Sequence, residues 1–390
     1  MRVAINLLTD DPANPSGAHW FWTRIIPEMA NLLAEDEEFR LLVGPKSRPT
    51  HQGYGPKIGY ITFPWSNENP KMRTLTEHLY APVRLPMSRI DVFSTLFAPI
   101  VRPASGLVVH IKTMHAHKEP QSVKLTNRLY RQISLPRTVK VADAVILNSE
   151  SLRAEVHHYL DVDPAKVHLI PEAVDHNLFM PGDRDQAWDH VSRTYGVTKR
   201  FVLFVSSLWQ YKNAAGLIRA FAVAKAELGD RQLVLVGPDR DRAYVAELHA
   251  LAEELGIAGD VVWVGGVPLT ETVPFYRCAD VFAYPSFNET FGLPILEAMA
   301  CGCPVVTSNT TAMPETAGGA ALLADPADPE SIADALVKAC GPENEWLRTA
   351  GPERAGEFTW AACAKSTLEV YRQVHAQHRG KFTKLRKVHG

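Results

Sequence analysis

Apolar residues in this chain come in two alternating regimes. Short runs rich in valine, isoleucine, leucine and phenylalanine read as buried strands. Longer stretches with apolar residues every three or four positions read as amphipathic helices. In the first half the runs predict strands at Arg2–Leu8, Phe39–Val43, Gly59–Phe63, Asp91–Ser94, Gly106–Thr113, Ala142–Asn148 and Val167–Pro171. Helices fall between them, for example His19–Leu33 and Ser149–Leu160. Pro171 and Pro181-Gly182 bracket a linker, with a hinge near Phe179–Asp183. The alternation then restarts, with strands predicted at Phe201–Ser206, Gln232–Val236, Val261–Val264, Asp280–Tyr284 and Pro304–Thr307. Strands that alternate with helices pair in parallel, so the pattern predicts an α/β fold with mostly parallel sheets.

One stretch concentrates polar groups at such a strand end. Ala279–Tyr284 is apolar, Pro285 and Ser286 end it, and a short loop carries Asn288 and Glu289. Pro294 stands where the first turn of a helix tolerates proline. Leu293, Leu296 and Met299 supply an apolar face, and Gly302 stops the helix. Glu297 therefore lies in the first turn or so. Ligands of open parallel sheets bind outside the carboxyl ends of the strands. A helix N-terminus offers unpaired N–H groups and positive partial charge to an anion. Here the amides of Phe291, Gly292 and Leu293 would face a phosphate, and glycine at 292 permits a close approach. Two carboxylates beside a phosphate repel it unless they bind something else, and sugar hydroxyls are suited to them. Lys212-Asn213 opens another helix after the first strand of the second half. A cation at a helix start opposes the helix dipole, which points to a bound anion.

Glu289, seven residues, then Glu297, set in P-S-x-x-E-x-F-G-L-P-x-L-E-A-M-A-x-G-x-P-V-V, resembles the signature of the retaining glycosyltransferases of family 4, glycosyl transferases group 1. The likeness covers nearly the whole chain, strongest from Val202 to Val306 and weakest from His51 to Pro103. It implies the GT-B architecture, two facing Rossmann-like domains with a deep interdomain cleft. Residues 1–180 would form the acceptor-side domain and 181–357 the nucleotide-sugar domain. Residues 358–376 would form a helix packing back on the first domain, and 377–390 a basic tail. The implied activity is transfer of a sugar from a GDP- or UDP-linked donor to an acceptor hydroxyl, in glycan or glycoconjugate biosynthesis, with retained anomeric configuration. The nucleotide sugar is a substrate, so no cofactor is implied. Two other readings stay open, a sugar-nucleotide-binding protein with impaired catalysis and a sugar-nucleotide 2-epimerase of the same architecture.

The resemblance also assigns roles. Lys212 would hold the diphosphate, Glu297 the ribose hydroxyls and Glu289 the sugar ring. Gly265, in Gly265-Gly266-Val-Pro268, would lie beneath the nucleobase. Gly17, closing the turn Pro12–Gly17, would face the donor phosphate, with Ala18 where relatives often carry a second glycine. Many relatives have an arginine partner for the lysine at positions that read Ser206 and Tyr211 here, and Arg240 or Arg242 are candidate substitutes. A histidine at the end of the 106–113 strand touches the transferred sugar in the family. His115 is the favoured candidate, with Lys112, His110 and His117 as alternatives. His110 and Lys112 fall on one face if the strand runs through both. The catalytic set is thus His115, Glu289 and Lys212.

Composition narrows the remaining classes. The chain has 390 residues, a near-neutral net charge of −2 and 46% hydrophobic residues, which gives nucleic acid no electrostatic foothold. The sequence enters a strand at Arg2 without a secretory leader, so a cytoplasmic protein is expected. No apolar run is long enough for a bilayer span. Between Lys112 and Lys140 lie Lys118, Lys124, Arg128, Arg131 and Arg137, with Leu125, Leu129, Tyr130 and Ile133 able to share a helix side. Some relatives use such a face on anionic membranes, so peripheral membrane contact is an open expectation beside a plain solvated face. The five cysteines are read as reduced thiols. Asp239-Arg-Asp241 looks like a metal-binding pair, but its arginines oppose a cation, and no metal site is expected.

Overall fold

The computed structural model describes residues 1–12, 17–63, 88–96, 105–118 and 125–388, without the side chains of 115, 116, 125–127, 130, 131 and 380–388. The chain divides into two units, Met1–Glu172 with Trp360–Gly390, and Ala173–Thr359.

Seven strands of the first unit are described: β1 (Arg2–Asn6), β2 (Glu38–Val43), β3 (Ile58–Thr62), β4 (Val92–Thr95), β5 (Gly106–His110), β6 (Ala144–Leu147) and β7 (Val167–Leu169). They are parallel, in the order β3-β2-β1-β4-β5-β6-β7. The order reverses between β1 and β4, which is the switch point of a Rossmann-like sheet. Side chains alternate between the two faces with period 2. Val3 and Ile5 join one core cluster with Phe21, Ile25, Leu368 and Tyr371, while Ala4 joins another with Val145, Leu147, Leu152 and Val156. Helices α1 (Gly17–Asn31), α2 (His115–Lys118), α3 (Leu125–Val141) and α4 (Glu150–Tyr159) belong to this unit.

The second unit repeats the scheme with α5 (Arg184–Tyr195), β8 (Phe201–Val205), α6 (Ala214–Leu228), β9 (Gln232–Val236), α7 (Arg242–Glu254), β10 (Val261–Gly265), α8 (Leu269–Cys278), β11 (Val281–Tyr284), α9 (Leu293–Ala300), β12 (Val305–Ser308), α10 (Met313–Ala317), β13 (Leu322–Ala324), α11 (Pro329–Ala339) and α12 (Leu347–Gly356). Its parallel sheet runs β10-β9-β8-β11-β12-β13, with the switch point between β8 and β11. The last helix, α13 (Trp360–Val388), packs with α1 in the first unit.

Four details differ from the sequence expectations. The strand expected to reach Thr113 leaves its ladder after Ile111, whose N–H still donates to Ile146 O. Lys112 then turns to an ion pair with Glu172, so it lies beyond the strand that was expected to carry it. β13 has only three residues at the sheet edge, too few to show a period. The units part at Glu172 rather than near Pro181, because Val174 and Phe179 are buried in the second core and Val174 N–H donates to Phe358 O. The helix expected at 358–376 continues through most of the expected tail to Val388.

Candidate functional site

The strand ends on either side of the second unit's switch point carry the predicted residues. Beyond β8 the chain makes a turn at Gln210–Lys212 before α6. Asn213, at φ 61°, caps α6 by accepting from Gly216 N–H, and its amide donates to Pro285 O at 3.0 Å and Pro326 O at 2.7 Å. Phe287 N–H donates to Tyr211 O at 2.9 Å. These bonds tie the loop after β8 to the loop after β11. At Gly237, after β9, a Cβ would lie 1.8 Å from Ser206 O, so only glycine lets these strand ends approach so closely.

That stitching brings Lys212 onto Glu289. The Lys212 ammonium donates to Glu289 Oε1 at 2.5 Å and to Tyr284 Oη at 2.7 Å, and the Tyr284 hydroxyl donates to Glu289 Oε1 at 2.7 Å. Both charged side chains are largely covered, at 13% and 12% exposure. Burial opposes the charge on Lys212, but Glu289, Tyr284 and Tyr211 outweigh it and hold the ammonium well above its usual range. Burial, with Glu289 next, pushes the Tyr284 hydroxyl up, so it stays a donor. The Glu289 backbone is held by Thr311 and Ala312, with Glu289 N–H donating to Thr311 Oγ1 at 3.1 Å.

Helix α9 starts beside this pair. Gly292 is its N-cap at φ 91°, a left-handed conformation that other residues adopt only with strain, and Pro294 occupies the first turn. The amides of Phe291, Gly292 and Leu293 donate to nothing among the described residues. Glu297 lies further along α9 and accepts from the Tyr276 hydroxyl at 3.1 Å. Burial pushes its carboxyl up to about 7, against the smaller opposing effect of Tyr276. Gly265 closes β10, with its carbonyl accepting from Gly237 N–H at 2.8 Å. Lys212, Glu289, Gly292, Leu293 and Glu297 thus follow the carboxyl ends of the two central strands, β8 and β11, and Gly265 ends a strand of the same sheet. Tyr284 and Tyr276 were missed from sequence. The only signal was Tyr284's place at the strand end before Glu289.

Other expectations resolve differently. Asp241 caps α7, accepting from Ala243 and Tyr244 N–H, so that carboxylate serves the helix. Arg240 and Arg242 are exposed. Among the described residues no group of three or more His, Cys, Asp or Glu side chains is arranged to hold a metal ion. No helix among them is long and apolar enough to cross a membrane.

In the first unit Gly17 opens α1, and a Cβ there would meet nothing within 4 Å among the described residues, which do not include residues 13–16 of its turn. His115 opens α2, and its side chain lies outside the described residues. His110 is a core residue, bonded to Ser94 Oγ at 3.1 Å and Tyr371 Oη at 3.3 Å, and burial holds its imidazole well below the ordinary value. The Lys112 ammonium lies 3.6 Å from the Phe21 ring centroid and 3.0 Å from Glu172. The His117 ring is 6.1 Å from that of Tyr159.

Two family models match the chain in tandem, Glycosyltransferase Family 4 over residues 24–178 and Glycosyl transferases group 1 over residues 189–345. The chain is 34% identical over 281 residues to a D-inositol 3-phosphate glycosyltransferase of Corynebacterium jeikeium, covering 67% of this chain and 63% of the relative. It is 29% identical over 248 residues to the O-antigen chain mannosyltransferase B of Escherichia coli, covering 62% and 64%. It spans about three fifths of the length of the Corynebacterium relatives it matches. Among solved structures, the Anabaena protein HepE in complex with UDP superposes with a TM-score of 0.73 at 20% identity, over 96% of this chain and 100% of that one.

Proposed function

The chain belongs to glycosyltransferase family 4 and carries that family's GT-B fold, and from this premise we propose that it moves a sugar from a uridine diphosphate donor to a hydroxyl of a polyol or carbohydrate acceptor. The observation that carries this reading is the contact of Lys212 with Glu289 beside the unpaired amides of Phe291–Leu293. A departing diphosphate needs cationic and N–H donors aimed at it. Preorganised donors of this kind are worth roughly 3–4 kcal/mol each when removed. Glu297 takes the ribose hydroxyls and Glu289 those of the transferred sugar. Gly17 and His115 of the first unit keep the diphosphate and sugar roles that the resemblance assigns. No metal is invoked, because an ammonium and helix amides already meet the phosphate.

Support for UDP comes from the HepE complex, and support for a polyol or sugar acceptor from the two curated relatives. Retention follows the family, with the leaving phosphate taking the acceptor's proton on the face it departs from. Exposed Leu129 and Ile133 on α3 support peripheral contact with a membrane surface. The test is thermal-shift screening against UDP, GDP, ADP and dTDP, followed by turnover of the matching nucleotide sugar and NMR assignment of the product anomer. Stabilisation by none of the four, with no donor consumed, rejects the reading.

A further inference from the structure

The carboxyl end of β1 carries ionisable side chains that donor binding does not use. Both oxygens of Asp10 are bonded to imidazoles, Oδ1 to Nδ1 of His19 at 2.7 Å and Oδ2 to Nε2 of His51 at 2.7 Å. Exposure of the three side chains is 2%, 8% and 0% for Asp10, His19 and His51. Burial pushes the Asp10 carboxyl up, but the hydrogen bonds from His51 and His19 outweigh it and hold the group below its ordinary value. An ionised carboxylate only accepts, so each facing nitrogen carries a proton.

The two imidazoles then differ. His51 uses its other nitrogen, Nδ1, in a 3.2 Å hydrogen bond with the Tyr54 hydroxyl, which burial pushes up to about 12. His51 is fully engaged and fixes Asp10. His19 has its Nδ1–H committed to Asp10, which leaves Nε2 with no hydrogen bond among the described residues. Beside it the Trp20 ring stands edge-on at 5.2 Å and is 38% exposed. Both residues lie in the first turn of α1, directly after β1, at the switch point of the sheet.

We propose that His19 and Trp20, with Asp10 and His51 as positioning residues, form the subsite that receives a neutral hydroxyl of the acceptor. This rests on the transferase reading and deepens it by assigning an acceptor contact. A hydroxyl both donates and accepts, so it pairs with the unused Nε2 of His19 whichever of the two carries the proton. An exposed indole offers an apolar face to the C–H side of a sugar or polyol ring.

The test combines UDP calorimetry with steady-state kinetics at saturating UDP-glucose. The acceptors are neutral sugars and polyols together with D-inositol 3-phosphate, and the proteins are the parent, His19→Phe, His19→Gln and Trp20→Ala. Acceptor KM should rise about tenfold in His19→Phe and Trp20→Ala while the UDP Kd stays within about twofold. His19→Gln restores a side chain that both donates and accepts and should recover part of the loss. Trp20 is exposed, so Trp20→Ala carries the test if His19→Phe does not fold. An unchanged acceptor KM in Trp20→Ala and in either folded His19 variant overturns the subsite. Loss of UDP affinity to the same degree also overturns it, since the residues would then act on the donor or the fold. A parent that neither binds UDP nor consumes UDP-glucose fails the uridine reading first, before any variant is compared, and the same variants are then compared with the nucleotide and donor that the thermal-shift screen selects.

Discussion

The Lys212 ammonium rests on the Glu289 carboxylate at 2.5 Å, with the Tyr284 hydroxyl bonded to both. The cation assigned to the diphosphate is therefore neutralised by the carboxylate assigned to the sugar. A donor has to share Lys212 with Glu289 or separate the two.

This makes the two substitutions unequal. Lys212→Met should weaken UDP binding and lower kcat/KM about 100-fold or more, the usual loss for a donor to a developing anion. Glu289→Gln removes the competing charge, so UDP should bind as tightly as to the parent or tighter while kcat falls. Calorimetry and steady-state kinetics on both variants check this. Equal losses of UDP affinity would mean that Glu289 holds the nucleotide directly.

Glu297 sets a pH dependence. Its folded value of about 7 lies above the ordinary 4.5, so the folded protein keeps the proton longer than the unfolded chain. That contribution is whole below about pH 4.5, is lost as pH rises through the folded value near 7, and is level above it. It amounts to about 3 kcal/mol at most. Glu297→Gln should flatten the stability curve across this window and be the more stable protein at about pH 8. Ribose hydroxyls favour the ionised carboxylate, so UDP affinity of the parent should rise between about pH 6 and pH 8. Denaturant melts and calorimetry at several pH values, with a parent-like slope in Glu297→Gln, would reject the assignment.

Gly17→Val separates function from folding. Among the described residues a Cβ at Gly17 meets nothing within 4 Å, so the thermal midpoint should match the parent. Turnover of UDP-glucose should fall, because a branched side chain crowds the turn assigned to the diphosphate. Parent-like kcat in Gly17→Val would remove that loop from the donor site.

Asp241 gives a test of the metal question. Transfer should persist in excess EDTA. Asp241→Ala should lose about 1 kcal/mol of stability with its helix cap and leave transfer unchanged. Activity lost to EDTA and restored by manganese would overturn a metal-independent mechanism.

What the sequence by itself determined is local. Alternation along β1 sends Val3 and Ile5 to one face and Ala4 to the other, because successive Cβ atoms of a strand point oppositely. The spacing from Glu289 through Gly292 to Glu297 placed a loop carboxylate, a glycine at the helix start and a helix carboxylate in order, since cap and turn chemistry act over a few residues. Tertiary structure alone decided the rest. Lys212 and Glu289 are 77 positions apart and meet because β8 and β11 are neighbours in the sheet, an order that no local period encodes. Asp10 and His51 are 41 positions apart and join because β1 pairs with β2. The raised value of Glu297 comes from the burial that packing imposes, with Tyr276 reaching it from another helix. A short edge strand such as β13 and the turn of Lys112 toward Glu172 depend on the neighbours each finds, and those neighbours exist only once the sheets have formed.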